Sequence, residues 1–209
     1  MNIEKQFNLI EKCDSQFHQG GLRISGIFKQ NKASEPLISI ITTVKNGEKY
    51  LEEAILSLKD QNYKNFEHIV IDANSSDKTL EIIKKNNDQI DYWVTCEDRG
   101  IWDGFNLGMK LVRGKYLGFL NSDDKFTPDA LSFLIKYIDK FPDKDFIFGA
   151  VKKHWGILHG YKPWKIYLSW GFYSSHSTGF FIKKDAAKIV GEYNIKYKYS
   201  SDYDYFYRM

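Results

Sequence analysis

The sequence has few cysteines, no long apolar run and little charge of either sign in excess. Of 209 residues only two are cysteines, Cys13 and Cys96, far apart and without metal-ligand spacing. Free thiols in a reducing, cytoplasmic compartment are therefore expected. No stretch reaches the roughly 18 apolar residues that a bilayer-spanning helix needs. The opening MNIEKQFNLIEK is charged and has no apolar core, unlike a secretory leader. A soluble protein is expected, with peripheral membrane attachment left open. The net charge is only +3, and no recognition helix or aromatic-basic stripe is present, so nothing argues for nucleic acid. There is no internal repeat. No Gly-x-Gly-x-x-Gly follows the first strand, which disfavours a Rossmann-type oxidoreductase.

What the chain has instead is an apolar fraction of 43% and 16% aromatics. That is enough for one domain with a sizeable core and leaves little room for two. Residues 1–35 are polar and mixed. Ile3, Phe7 and Ile10 would line one face of a short helix, Gly20-Gly21 interrupts, and residues 30–36 read as a linker. This N-terminal extension is expected to pack on the domain, with no chemistry visible.

From residue 36 the pattern becomes regular. Residues 37–44 are almost continuously apolar or β-branched, as a parallel strand buried on both sides should be. Tyr50, Leu51, Ala54, Ile55 and Leu58 recur at helical spacing. A second strand over 66–72 ends in Asp72, and Ser75 or Ser76 would cap the helix carrying Leu80, Ile82 and Ile83. A third strand over 90–95 precedes Glu97-Asp98-Arg99-Gly100 and a helix through Ile101, Phe105, Met109 and Val112. The fourth strand, from Tyr116, runs into Asn121-Ser122-Asp123-Asp124. Thr127 and Pro128 would cap and start the next helix, and a short fifth strand covers 146–150. Strand and helix thus alternate over 37–150, which predicts an α/β fold with a mostly parallel sheet and helices on both faces. Beyond 150 the chain is irregular and aromatic, with Trp155, Trp164 and Trp170. A strand follows over 176–182, then a short helix over 185–190. The chain ends on what looks like the first turns of another helix.

In a parallel sheet the carboxyl ends of the strands share one rim, where ligands bind in open α/β folds. Thr42-Thr43, Asp72 and Asn121-Ser122-Asp123-Asp124 all fall there. Two adjacent carboxylates repel. A hard divalent cation carrying a phosphate-bearing substrate suits them, while an Asp pair capping a turn is the structural alternative.

Several pieces in this order resemble family 2 glycosyltransferases of the GT-A fold over roughly residues 36–208. They are Ile38 to Asn46, Tyr50-Leu51 to Gln61, Glu67 to Asp77, Asp98-Arg99-Gly100-Ile101-Trp102-Asp103-Gly104-Phe105-Asn106, Gly114 to Asp124, and Ser201-Asp202-Tyr203-Asp204. Bacterial enzymes of O-antigen, capsule or exopolysaccharide synthesis are the similar proteins. The resemblance implies a nucleotide-sugar-binding half over 36–124 and an acceptor half over 125–209, apparently cut short at its end. It implies Mn²⁺ or Mg²⁺ on Asp124 and Asp123, and a nucleotide-sugar pocket of Thr42, Thr43, Asn46, Asp72, Arg99 and Asp123. Asn121 replaces the first acid of the Asp-x-Asp motif. Ala73 stands where many relatives carry a second acid that reads the uracil, and Ser201 where they carry Glu.

The resemblance further makes Asp202 the general base of an inverting transfer from a nucleotide-diphosphate sugar, UDP-linked by expectation. The acceptor would be a hydroxyl on a glycan or on a lipid-linked glycan at the inner membrane face. His176 and Asp204 become contacts for acceptor or diphosphate. For Asp72 the structural alternative is a cap of the following turn; for Arg99, an ion pair with Asp98 or Glu97. The alternative for the whole chain is a truncated domain that binds nucleotide sugar or a partner without turnover.

Overall fold

The computed structural model describes residues 18–154, 156–158 and 177–209. Strand β1 (Gln19–Gly20) leads to β2 (Ile38–Val44), α1 (Leu51–Lys59), β3 (Phe66–Asp72), α2 (Thr79–Lys85) and β4 (Tyr92–Thr95). Then come α3 (Ile101–Leu111), β5 (Tyr116–Phe119), α4 (Ala130–Lys140), β6 (Phe146–Phe148), and a small ribbon of β7 (Val151–Lys153) and β8 (Gly156–Leu158). A 3₁₀ turn over Ser177–Gly179, β9 (Phe180–Lys183), α5 (Lys184–Val190) and α6 (Ser201–Arg208) complete the order among the described residues.

The main sheet runs β1-β4-β3-β2-β5-β9-β6. Its four central strands are parallel: β3 and β5 flank β2, and β4 lies outside β3. Every residue of β2 and β3 is buried, including the polar Ser39, Thr42, Thr43, Glu67, His68 and Asp72, as strands covered on both faces require. Alternate side chains feed opposite layers. Ile41, Ile69, Ile71 and Phe119 pack with Phe105 of α3 and with Tyr205 and Phe206 of α6. Ile38, Ile40 and Tyr116 pack with Leu58 of α1 and with Leu131, Leu134 and Ile138 of α4. Helices therefore cover both faces. Helix α3 sits close on β2 because Gly104 faces it: a Cβ there would lie 2.7 Å from Thr43 Cγ2.

Several local expectations need correction. The fifth strand, β6, runs in the direction of the parallel strands but does not pair with any of them. It is separated from β5 by β9, which is antiparallel to both. Strand order cannot be read from strand periodicity, and a later segment took the place beside β5. Helix α2 begins at Thr79, and neither Ser75 nor Ser76 caps it. Asp77 Oδ1 accepts instead from the Thr79 amide at 2.9 Å. Helix α4 begins at Ala130, whose amide bonds the Thr127 carbonyl at 2.9 Å, so Pro128 lies in the entering turn. Cys96 is disulfide-bonded and not a free thiol; separation along the sequence does not determine which sulfurs a fold brings together.

Residues 18–35 do more than pack on the outside. Gln19–Gly20 adds an antiparallel edge to β4. Arg23 is 2% exposed and its guanidinium lies 2.7 Å from Glu67, which is 1% exposed. Glu67 Oε1 also accepts from Ser39 Oγ at 2.5 Å and from the Arg113 amide at 2.7 Å. This satisfied buried network sits at the amino end of the sheet, opposite the candidate site. The helical face expected from Ile3, Phe7 and Ile10 lies outside the described residues, as do Trp155, Trp164 and Trp170.

Candidate active site

Strand β2 lies between β3 and β5, so Asp72 and the Asn121–Asp124 loop leave the same edge of the sheet. Two strand spacings separate their strands, about 10 Å. The turn after β2 bridges them: a Cβ on Gly47 would lie 3.8 Å from Ser122 Cβ.

Each candidate residue of β2 and its exit has a definite place. Thr42 is fully buried and its hydroxyl shares a 2.9 Å hydrogen bond with His68 Nε2, facing the interior. Thr43 is also buried, and its hydroxyl has no hydrogen-bond partner among the described residues. An orphaned buried hydroxyl at a rim is uncommon and needs a reason. Asn46 takes a left-handed backbone conformation with φ 53°. Its amide bonds Ser75 Oγ at 2.8 Å, and its Oδ1 accepts from the Ser76 amide at 2.9 Å. Asn46 therefore ties the loop after β2 to the loop after β3.

Asp72 is 1% exposed at the end of β3. Its Oδ1 accepts from Ser75 Oγ at 2.5 Å, and the Ser75 amide approaches both oxygens. It caps its own turn in this way. Burial raises its pKa, and the Ser75 bonds pull the other way. Asp98, after β4, is raised as well. Burial is the chief cause, opposed by the Gly100 amide and Lys45 and reinforced by Asp103 and Asp72. A Cβ on Gly104 would lie 3.1 Å from Asp98 Oδ2 and 3.3 Å from Thr43 Cβ. Asp72, Asp98, Thr43 and Lys45 thus gather where β2, β3 and β4 end. A carboxylate-rich cluster of this kind suits donors such as ribose hydroxyls or base N–H groups. Arg99 does not pair with Asp98 or Glu97. Its guanidinium forks onto Asp103, one turn on, with Nε and Nη2 both at 3.1 Å. The helical i, i+4 spacing explains that choice.

The Asn121–Asp124 loop is built around Asp124. Asp124 Oδ2 accepts from Asn121 Nδ2 at 3.0 Å and from Thr178 Oγ1 at 2.5 Å. Asn121 Nδ2 also donates to Ser177 Oγ at 3.1 Å. The 3₁₀ turn before β9 therefore orients the second acid, because β9 pairs with β5. Asp123 is exposed beside it. Among the described residues no group of three or more His, Cys, Asp or Glu is placed to hold a metal ion. The donors present still suit a hard cation: Mg²⁺ is held by one or two carboxylates, several waters and substrate phosphates.

Asp202 opens α6 and is half-buried, its Oδ1 accepting from the Tyr203 amide at 2.8 Å. The segment before it is pinned to α3. The Trp102 indole donates to the Lys198 carbonyl at 3.1 Å. Trp102 stacks on Tyr193 at 5.3 Å, and Tyr193 on Tyr205 at 4.2 Å. One aromatic stack thus ties the first turn of α3 to the buried face of α6. Asp204 points elsewhere, into an ion pair with Arg208 at 3.0 Å. His176 lies outside the described residues.

The family model for "Glycosyl transferase family 2" matches residues 39–206. The chain belongs to glycosyl transferase family 2. An uncharacterized glycosyltransferase of Rickettsia typhi is 32% identical over 193 residues, covering 86% of this chain and 60% of that protein. The chain thus spans about 60% of the length of that curated relative. Among solved structures, Staphylococcus aureus TarS residues 1–349 aligns with a TM-score of 0.66 at 22% identity, covering 82% of this chain and 54% of that one. The mannosyltransferase PcManGT of Pyrobaculum calidifontis, in complex with GDP-Man and Mn²⁺, aligns at 0.64 and 16%, covering 96% and 56%. At these identities the likeness concerns the fold, which is GT-A.

Within this family 2 domain, Asp98, Ser177 and Thr178 are candidate site residues that the sequence alone did not single out. Asp98 had a signal, since it follows a strand of the same sheet and precedes a glycine-led helix. Thr178 had none, because only the insertion of β9 beside β5 brings it to Asp124.

Proposed function

We propose that the chain is the donor-binding and catalytic part of an inverting glycosyltransferase that uses a nucleotide-diphosphate sugar and a divalent cation. The observation that carries this is the shared rim: Asp72, Asp98 and Thr43 at one position, and Asp123 with the oriented Asp124 across β2. Family membership and the nucleotide-sugar complexes of TarS with UDP-GlcNAc and of PcManGT with GDP-Man support it.

In this reading Asp72, Asp98 and the orphaned Thr43 hydroxyl hold the nucleoside. Asp123 and Asp124 would hold Mg²⁺ or Mn²⁺, which would offset the charge that develops on the leaving diphosphate. The acceptor oxygen attacks the anomeric carbon while the bond from that carbon to the diphosphate oxygen breaks. The bonding pair leaves with the diphosphate, and Asp202 takes the acceptor's proton. The configuration inverts because attack comes from the face opposite the leaving group. Thr42 and Asn46 support the pocket from behind through His68 and the Ser75-Ser76 turn. UDP is the expected nucleotide, a hydroxyl of a surface glycan or its lipid-linked precursor the expected acceptor, and the cytoplasm the expected compartment. Asp204 and Arg99 are engaged by Arg208 and Asp103, so each reaches a ligand only by giving up that pair.

The test is sugar release and transfer from a panel of UDP-, GDP- and dTDP-sugars with Mn²⁺ or Mg²⁺. Metal-dependent turnover of one donor is expected. Tight binding of a donor without turnover of any would show a binding domain instead.

A further inference from the structure

Helix α4 is amphipathic in an unusual way, because it has two apolar faces. Leu131, Leu134 and Ile138 are buried against the sheet. On the other side Phe133 is 54% exposed, Tyr137 52% and the following Phe141 40%. Their spacing of four residues puts them in one row, and Tyr137 and Phe141 stack at 6.3 Å. Two lysines line the row. Lys136 Nζ lies 5.2 Å from the Phe133 ring centroid and Lys140 Nζ 5.3 Å from that of Phe141. Neither ammonium has a carboxylate partner among the described residues. The acids close by are turned to other uses. Asp143 pairs with Lys144, and Asp129 accepts from Asn62.

We propose that the Phe133–Tyr137–Phe141 face of α4 docks on an anionic phospholipid surface. Aromatic rings favour the boundary between headgroups and acyl chains. Lysine stems lie along the apolar surface while their ammonium groups reach the lipid phosphates. An exposed aromatic row edged with unpaired cations fits that boundary. A second copy of the chain fits it less well, since a twofold contact through this row would bring Lys136 and Lys140 of both copies together. Two of these rings, Phe133 and Tyr137, also line a cavity of about 750 Å³ together with Ile147, Phe148, Asp123 and Asp124. Docking through this face would therefore bring the lipid surface next to a cavity that shares residues with the candidate site. The inference goes beyond the proposed reaction and holds for any donor sugar.

The experiment is co-sedimentation of the full chain with vesicles of phosphatidylcholine alone or with phosphatidylglycerol added. Binding to the phosphatidylglycerol vesicles is expected, with little to the neutral ones. Lys136→Glu combined with Lys140→Glu should weaken it by roughly tenfold or more. Phe133→Ser, Tyr137→Ser and Phe141→Ser combined should do the same. All five side chains are outside the core, so circular dichroism melts should stay close to the parent. The proposal is overturned if no vesicle binds the parent, if neutral and anionic vesicles bind alike, or if a folded triple variant binds as the parent does. It is also overturned if the parent is a dimer that the triple variant dissolves and no vesicle competes with it.

Discussion

The Thr178 hydroxyl donates to the Asp124 carboxylate at 2.5 Å, from a turn 54 residues away in sequence. This bond fixes the orientation of the acid assigned to the cation. Partners of this kind typically change metal affinity tenfold to a hundredfold when lost. Thr178→Val should therefore weaken Mn²⁺-dependent binding of UDP or GDP by roughly that factor, and Asp124→Ala by at least as much. Calorimetry with and without Mn²⁺ reads both. If Asp124→Ala binds nucleotide as the parent does in Mn²⁺, the cation is held elsewhere.

Asp202→Asn keeps the size of the side chain and its bond to the Tyr203 amide but removes the basic oxygen. It should lower kcat by about 10²–10⁴-fold, the usual worth of general-base help, with donor affinity nearly unchanged. Asp204→Asn is the control. Its carboxylate is held by Arg208, so the loss should be far smaller. A larger fall for Asp204→Asn than for Asp202→Asn would exchange their roles.

Arg23→Ala leaves Glu67 charged in a site closed to water, beside Ser39 and the Arg113 amide. Breaking a buried pair from one side costs about 3–5 kcal/mol. Urea unfolding should show a loss of that order with the slope m unchanged. Because this network sits at the amino end of the sheet, nucleotide affinity of the folded variant should stay at the parent's value.

These residues also show what the sequence could disclose. Strands β2 and β3 were legible because burial on both sides leaves runs dominated by apolar and β-branched residues, and their polar ends marked the rim. The amphipathic stripes of α1, α3 and α4 were legible for a similar reason. The pairing of β9 between β5 and β6 was not, because period-2 patterning says which face is buried and not which strand is the neighbour. Thr178 and Ser177 reach the site only through that pairing. Arg23 was hidden for another reason. A single arginine in a polar segment looks solvated until its partner, Glu67, is seen to be buried. Asp77 capped α2 in preference to Ser75 or Ser76 because Ser75 is engaged by Asp72 and Asn46, and Ser76 by Asn46.

His68 supplies a pH test of the packing beneath the site. It is fully buried in β3, and burial, with a lesser push from Lys29, takes its pKa from 6.5 down to about 3. The folded protein therefore keeps the ring neutral while the unfolded chain protonates it below pH 6.5. Between those two values the unfolded state binds the extra proton, so stability falls as pH falls, by about 1.4 kcal/mol per unit from this group. Asp72, Asp91 and Asp98 act in the opposite sense. Burial raises all three, so each holds its proton in the folded state to a higher pH than in the unfolded one. Their contribution is greatest in acid and is lost as pH rises through their folded pKa values. Urea midpoints of the parent and of His68→Gln, measured from pH 7 to pH 4, separate the two effects. The variant begins less stable, because the 2.9 Å contact between His68 and the Thr42 hydroxyl is disturbed. Its stability should nevertheless fall less steeply on acidification than the parent's. Parallel slopes would mean that His68 does protonate in the folded state, and that the Thr42–His68 contact is more open than its burial implies.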